Sequence, residues 1–169
     1  MTIKASQLKK IEQIYSWMDT KNKTVQHIAS GRLVSYLDAV NFPIIPFPLT
    51  KELASQVIER NGVEIEQIKA KWAGSAPLYP ATFIDFNGNG LCCIDGNHSI
   101  IIWWLSGCKS IPGREVPAKI WKRFVIKDMP GTFDEWAHFQ EHFNHAEYYE
   151  AKEAGKLEEF IRTFWGQQS

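Results

Sequence analysis

Long apolar runs are missing from this sequence. No stretch approaches the roughly 20 residues that a membrane-spanning helix needs. The first residues carry charges and no apolar signal core. These absences set two expectations, no membrane insertion and a cytoplasmic location. A charge excess is missing too: Lys plus Arg is 19 and Asp plus Glu is 19. That excludes a nucleic-acid coat held by overall charge, so any such contact must be a local patch. Cysteine is scarce, with three residues, Cys92, Cys93 and Cys108. Neighbours on a strand point to opposite faces, so Cys92 and Cys93 suit neither a disulfide framework nor a paired zinc spacing. Free, buried thiols in a reducing compartment are expected. Internal repeats and low-complexity segments are absent as well.

What is present suits a packed core. The 169 residues fit one domain spanning 1–169. Aromatics reach 13%, with seven Trp. Residues 1–41 are expected to form helices. Leu8, Ile11, Ile14 and Met18 have helical spacing, Asp19 to Lys23 is a polar break, and Thr24 caps a second helix through Leu37. Three prolines in Asn41–Pro48 require an extended connector or an edge strand. Thr50 opens a helix that Asn61-Gly62 ends, and Glu64 to Trp72 is a further helical candidate. Tyr79 to Phe86 reads as a strand. Asn87-Gly88-Asn89-Gly90 then turns the chain into a hairpin with Leu91–Ile94. Glu115 to Trp121 alternates as a third strand, which Phe124–Ile126 continues. Residues 127–169 return to helix, with Phe133, Trp136, Phe139 and Phe143 as an apolar stripe. The class is α+β, with a small sheet and an embedded helix between N- and C-terminal helices.

The chain is organised around Leu91–Gly107, L-C-C-I-D-G-N-H-S-I-I-I-W-W-L-S-G. A short apolar strand is broken by Asp95-Gly96. Asn97 and Ser99 are both good helix N-caps. Ile100 to Leu105 is apolar on every side, as in a helix buried all round. Gly107 is placed to end it in a left-handed cap. A polar, Gly-containing turn feeding a helix N-terminus is an anion or phosphate site by geometry. Asp95, Asn97, His98 and Ser99 crowd that junction. The competing reading is a capped helix with an Asx turn and no ligand.

The string from Pro77 through Phe83-Ile84-Asp85-Phe86-Asn87-Gly88 and Asp95-Gly96-Asn97-His98-Ser99 to Leu105-Ser106-Gly107 and Val116-Pro117 resembles the ParB/sulfiredoxin superfamily. The resemblance covers about 42–126, between the helices of 1–41 and 127–169. It implies a ParB/sulfiredoxin-like fold: a small mixed sheet with a buried helix after the D-G-N-H-S turn. It also implies that Gly96, Asn97, His98 and Ser99 line nucleotide phosphates. Two departures stand out. Ser99 replaces the usual Arg and removes a bidentate phosphate contact. Asn97 occupies the sulfiredoxin cysteine position, which disfavours sulfinic-acid reduction. Small plasmid-borne fertility-inhibition proteins of the oncogenic-suppression type are the nearest comparison within the superfamily. The activities it implies are hydrolysis of ATP or a related nucleotide and DNA cleavage. A protein of a DNA-transfer apparatus is the implied partner.

Phosphoryl hydrolysis needs charge neutralisation at the phosphates, an oriented water and often a metal. His98 suits a phosphate donor or general acid, and Asp95 a Mg²⁺ ligand or water-orienting group. Glu52, Glu59 and Glu64 are further carboxylates from the upstream segment. A basic run follows, Lys109, Arg114, Lys119, Lys122, Arg123 and Lys127, with Trp121 and Phe124 interleaved. Lys119, Lys122 and Arg123 are the candidate DNA contacts; a solvated face is the plainer reading. On the last helix Asp134, His138, Glu141, His142 and His145 recur at helical spacing, where a hydrated polar face competes with a metal site. Two functions follow: a phosphohydrolase, and a catalytically degenerate inhibitor that blocks a macromolecular partner through its basic and aromatic surface.

Overall fold

The computed structural model describes residues 3–7, 13–61, 79–86, 88, 90–129, 131–142, 147, 150, 151, 154–156 and 159. In chain order the elements are a 3-10 turn Ala5–Gln7, β1 Tyr15–Asp19, β2 Thr24–Ile28, α1 Ser30–Ala39, β3 Ile45–Pro48, α2 Lys51–Asn61, β4 Ala81–Ile84 and β5 Cys92–Asp95. There follow α3 Asn97–Leu105, β6 Ser110–Glu115, α4 Ala118–Trp121, a 3-10 turn Lys122–Phe124, and α5 Phe133–His142. The fold is α+β. It divides into two compact units, Met1–Arg32 with Lys122–Ser169, and Leu33–Trp121. Among the described residues no helix is long and apolar enough to cross a membrane.

The expected N-terminal helices are corrected over 15–28, where the chain forms two strands; the second helix forms only from Ser30, as α1, and Leu8 and Ile11 lie outside the described residues. Tyr15–Asp19 and Thr24–Ile28 form an antiparallel hairpin, with Ser16 opposite His27 and Met18 opposite Val25. The polar break is its turn. Asp19 Oδ1 accepts from the N–H groups of Lys21 and Asn22, Oδ2 accepts from Asn22 Nδ2, and Lys23 takes a left-handed φ of 52°. The hydrogen bonds from Asn22, side chain first, hold the Asp19 carboxyl below its ordinary range. Thr24 therefore opens a strand instead of capping a helix. Val125 and Ile126, expected to extend the third strand, bridge to Ile28 and Ile3 instead.

The second unit holds a mixed four-stranded sheet in the order β3-β6-β4-β5. β4 and β5 pair antiparallel, as the N-G-N-G turn requires, with Phe83 opposite Cys93. β6 runs parallel to β4 and antiparallel to β3. Alternation sends Ala81 and Phe83 to one face of β4, where they join Leu49, Val57, Ile100, Ile101 and Ile111 in the core. All four residues of β4 are buried, so the sheet is covered on both faces at that strand. On the other face Arg114 is 2% exposed; its Nη1 donates to Asp38 Oδ1 at 2.8 Å and its Nε to Thr82 Oγ1 at 3.4 Å. Arg114 thus leaves the basic surface and becomes a structural ion pair.

The third strand was expected at Glu115–Trp121 and lies at Ser110–Glu115. Pro112 and Gly113 both fit the strand. Pro112 faces Pro46, where no ladder bond is made, and pairing with β4 begins only at Gly113. A Cβ on Gly113 would stand 2.7 Å from the Phe47 ring and 3.1 Å from that of Phe83. Pro117 then starts the short α4, its carbonyl accepting from the N–H groups of Ile120 and Trp121. Lys119 and Trp121 therefore lie on a helix.

The helical candidate Glu64–Trp72, the loop Gly74–Pro77, Phe143 and the last helix from Leu157 lie outside the described residues or have no described side chain.

Candidate functional site

The strand–turn–helix unit forms where expected, but its cap differs. β5 ends at Asp95, and Gly96 occupies the N-cap of α3 at φ 90°, ψ 16°. Only glycine adopts that conformation at low cost. Space demands glycine too: a Cβ there would meet Ala81 Cα at 3.0 Å and the Pro80 carbonyl at 3.4 Å. Gly96 accepts the first helical bond, from Ile100 N–H at 3.0 Å. Neither Asn97 nor Ser99 caps the helix, because the left-handed glycine already places Asn97 in its first turn. No side chain caps this N-terminus. The first-turn N–H groups of a helix have no intrahelical partner, and they carry the positive end of the dipole.

The side chains around the turn are unequal. Asp95, Asn97 and His98 are half-buried, whereas Ser99 is only 4% exposed. The buried Asn97 Oδ1 has no hydrogen-bond partner. The backbone leading in is held by Cys93 Sγ donating to the Asp95 carbonyl at 3.0 Å. At the far end the left-handed cap at Gly107 forms as expected, with Gly107 N–H donating to Trp104 O and Cys108 N–H to Trp103 O, each at 3.0 Å. The helix is not buried all round: Ile100 and Ile101 are, Ile102 to Trp104 are half-buried, and Leu105 is 42% exposed.

The remaining candidates fall on different elements. Lys119 is exposed on α4 in one unit, and Lys122 and Arg123 are exposed on the 3-10 turn in the other. Glu52 is exposed in the first turn of α2, Glu64 lies outside the described residues, and the side chain of Glu59 is not described. Among the described residues no group of His, Cys, Asp or Glu is gathered as a metal site. Cys93 is buried, Cys92 and Cys108 are half-buried, and all three are free.

Two features escaped the sequence. One is a cleft of about 590 Å³, lined by Phe47, Thr50, Glu52, Leu53, Phe83 and Leu91 among others; none of Asp95 to Ser99 lines it. The other is a buried histidine. His27 Nδ1 lies 2.7 Å from Ser16 Oγ, and its ring stands 4.6 Å from that of Trp136. The alternation in T-V-Q-H-I was the available signal, since it puts His27 on the face of β2 that also carries Val25.

Comparison with protein-family models, with curated proteins and with solved structures gave no match.

Proposed function

We propose that the chain is a nucleotide-phosphate-binding phosphohydrolase of the ParB/sulfiredoxin fold. It would hydrolyse ATP or a related nucleotide, and cleave DNA, in the cytoplasm, in the service of inhibiting conjugative DNA transfer. One observation carries the reading: α3 opens without a side-chain cap at a left-handed glycine, beside a buried Asn97 Oδ1 that lacks a partner. A phosphate oxygen answers first-turn N–H donors, and a ligand hydroxyl answers an orphaned acceptor. In this reading Gly96, Asn97, His98 and Ser99 line the phosphates, and His98 donates to them or acts as general acid. Asp95 is a single carboxylate. It fits Mg²⁺ when phosphates complete the coordination, as that ion usually requires. Bound there, Mg²⁺ would neutralise phosphate charge.

The test is a thermal-shift screen of nucleotides with and without Mg²⁺. A ligand that binds the folded state raises its apparent stability. His98→Ala is expected to abolish turnover with the fold intact; unchanged hydrolysis rejects the site. A panel without any shift rejects nucleotide binding.

A second reading, a degenerate inhibitor that blocks a macromolecular partner, is favoured by the burial of Ser99. A serine 4% exposed, next to an Asn97 Oδ1 that is itself buried, is poorly presented to a ligand. It predicts inhibition that survives loss of Asp95, His98 and Ser99 together. Either reading is open to DNA contact through Lys119, Lys122 and Arg123. Reversing these to Glu should weaken DNA binding and flatten its salt dependence.

A further inference from the structure

The imidazole of His27 is a buried joint between two elements of the first unit. It is 6% exposed. From β1, Ser16 Oγ meets its Nδ1 at 2.7 Å. From α5, the Trp136 ring packs on it at 4.6 Å and 54°, and Trp136 is itself 6% exposed. The same helix reaches the same strand again, where Gln140 Nε2 donates to the Ser16 carbonyl at 3.2 Å. From the segment after the 3-10 turn, Ile126 N–H donates to the His27 carbonyl at 2.8 Å. Gly131 clears space for Trp136, since a Cβ there would stand 2.6 Å from Nε1.

We propose that His27 is an acid-sensitive latch: protonating its ring releases α5 from the β1–β2 hairpin while the sheet unit stays folded.

The physical reason is that a cation in this position has lost its water. Burial alone holds the imidazole down, from its ordinary 6.5 to about 4. The charged groups of the surrounding elements do not offset that cost. β1 carries only Asp19, whose oxygens are taken up in the turn. The 122–127 segment carries Lys122, Arg123 and Lys127, exposed and of the wrong sign. On α5, Asp134, His138 and Glu141 lie away from the Trp136–Gln140 side by helical spacing, and Glu135 Oε2 accepts from Thr132 N–H. A folded-state value below the free one means that the closed form binds fewer protons. Docking is therefore strongest above about pH 6.5 and weakens as the pH falls toward 4. Between pH 7 and pH 5 the open population should rise about 20-fold.

The experiment is amide hydrogen exchange on the full chain at pH 7 and pH 5, corrected for intrinsic rates. Protection of α5 should fall about 20-fold, while β4 and α3 keep theirs. His27→Gln, which retains a hydrogen-bonding side chain without a titrating one, should show no such fall; His138→Gln should behave as wild type. Uniform loss across both units, or an equal fall in His27→Gln, overturns the latch. If that variant does not fold, titration of the His27 ring protons in the native chain decides. A midpoint far below 6.5 supports a closed latch, and one near 6.5 refutes it.

Discussion

The N-termini of α5 and α3 differ in what answers their backbone donors. At α5 the sequence does so: Glu135 N–H donates to Thr132 Oγ1 at 3.2 Å and Thr132 N–H to Glu135 Oε2 at 3.3 Å, a reciprocal capping box. α2 follows suit, with Leu53 N–H on Thr50 Oγ1 at 3.1 Å. α3 begins instead on Gly96, which offers no side chain, although Asn97 and Ser99 stand next in line. α5 and α2 are closed by their own residues, and α3 is left open. The open one follows the sheet and starts beside an orphaned acceptor. That contrast sets α3 apart from α2 and α5, while α1 also begins at a buried polar atom without a partner, Ser30 Oγ.

The largest effect should come from forcing a side chain onto the open end. Gly96→Ala meets both a positive φ and a Cα at 3.0 Å. Left-handed strain and overpacking together should cost about 2–4 kcal/mol. Urea denaturation measures it. A loss below about 0.5 kcal/mol would mean that the turn relaxes freely and is no rigid cradle.

Smaller changes sharpen the comparison through their sign. Thr132→Ala and Thr50→Ala each remove a working cap, and each should lose about 1 kcal/mol. Asn97→Ala removes an acceptor that has no partner, so it should lose nothing and gain up to about 1 kcal/mol. In the same variants, nucleotide-induced stabilisation should survive the two Thr changes and drop with Asn97→Ala. If Asn97→Ala destabilises as the caps do, its amide serves the fold and the open-end reading fails.

The open end was legible as a unit and illegible in detail. D-G after an apolar run and Gly107 after an apolar helix are backbone signals, and both hold. The choice of cap is not such a signal. Asn97 and Ser99 have the better capping propensity, but the conformation of Gly96 decided it one residue earlier. In the N-terminal hairpin the difficulty was length. Five-residue strands are too short for a period of 2 to stand apart from 3.6, and Asp19–Lys23 breaks a helix as readily as it turns a hairpin. Arg114 looked like surface because sequence cannot show that Asp38, far away along the chain, comes within 2.8 Å. Its burial removes one cation from the basic run on which the DNA reading rests.

The same logic of closed and open backbone extends to the sheet. Leu49 N–H donates to Lys109 O at 2.9 Å, so the bonded pairs with β6 fall at Leu49, Phe47 and Ile45. Pro46 and Pro48 then turn their backbone away from β6, at the edge of the sheet among the described residues, where proline has no N–H to offer another strand. The flanking Ile44 and Ile45 are about half exposed, at 52% and 51%. Without the prolines this edge would combine apolar side chains with open donors. Pro46→Thr with Pro48→Thr should leave monomer stability within about 0.5 kcal/mol. Self-association should nevertheless rise with concentration, as read by sedimentation velocity. A variant that sediments as the parent does at every concentration would show that the edge is closed by something other than its prolines.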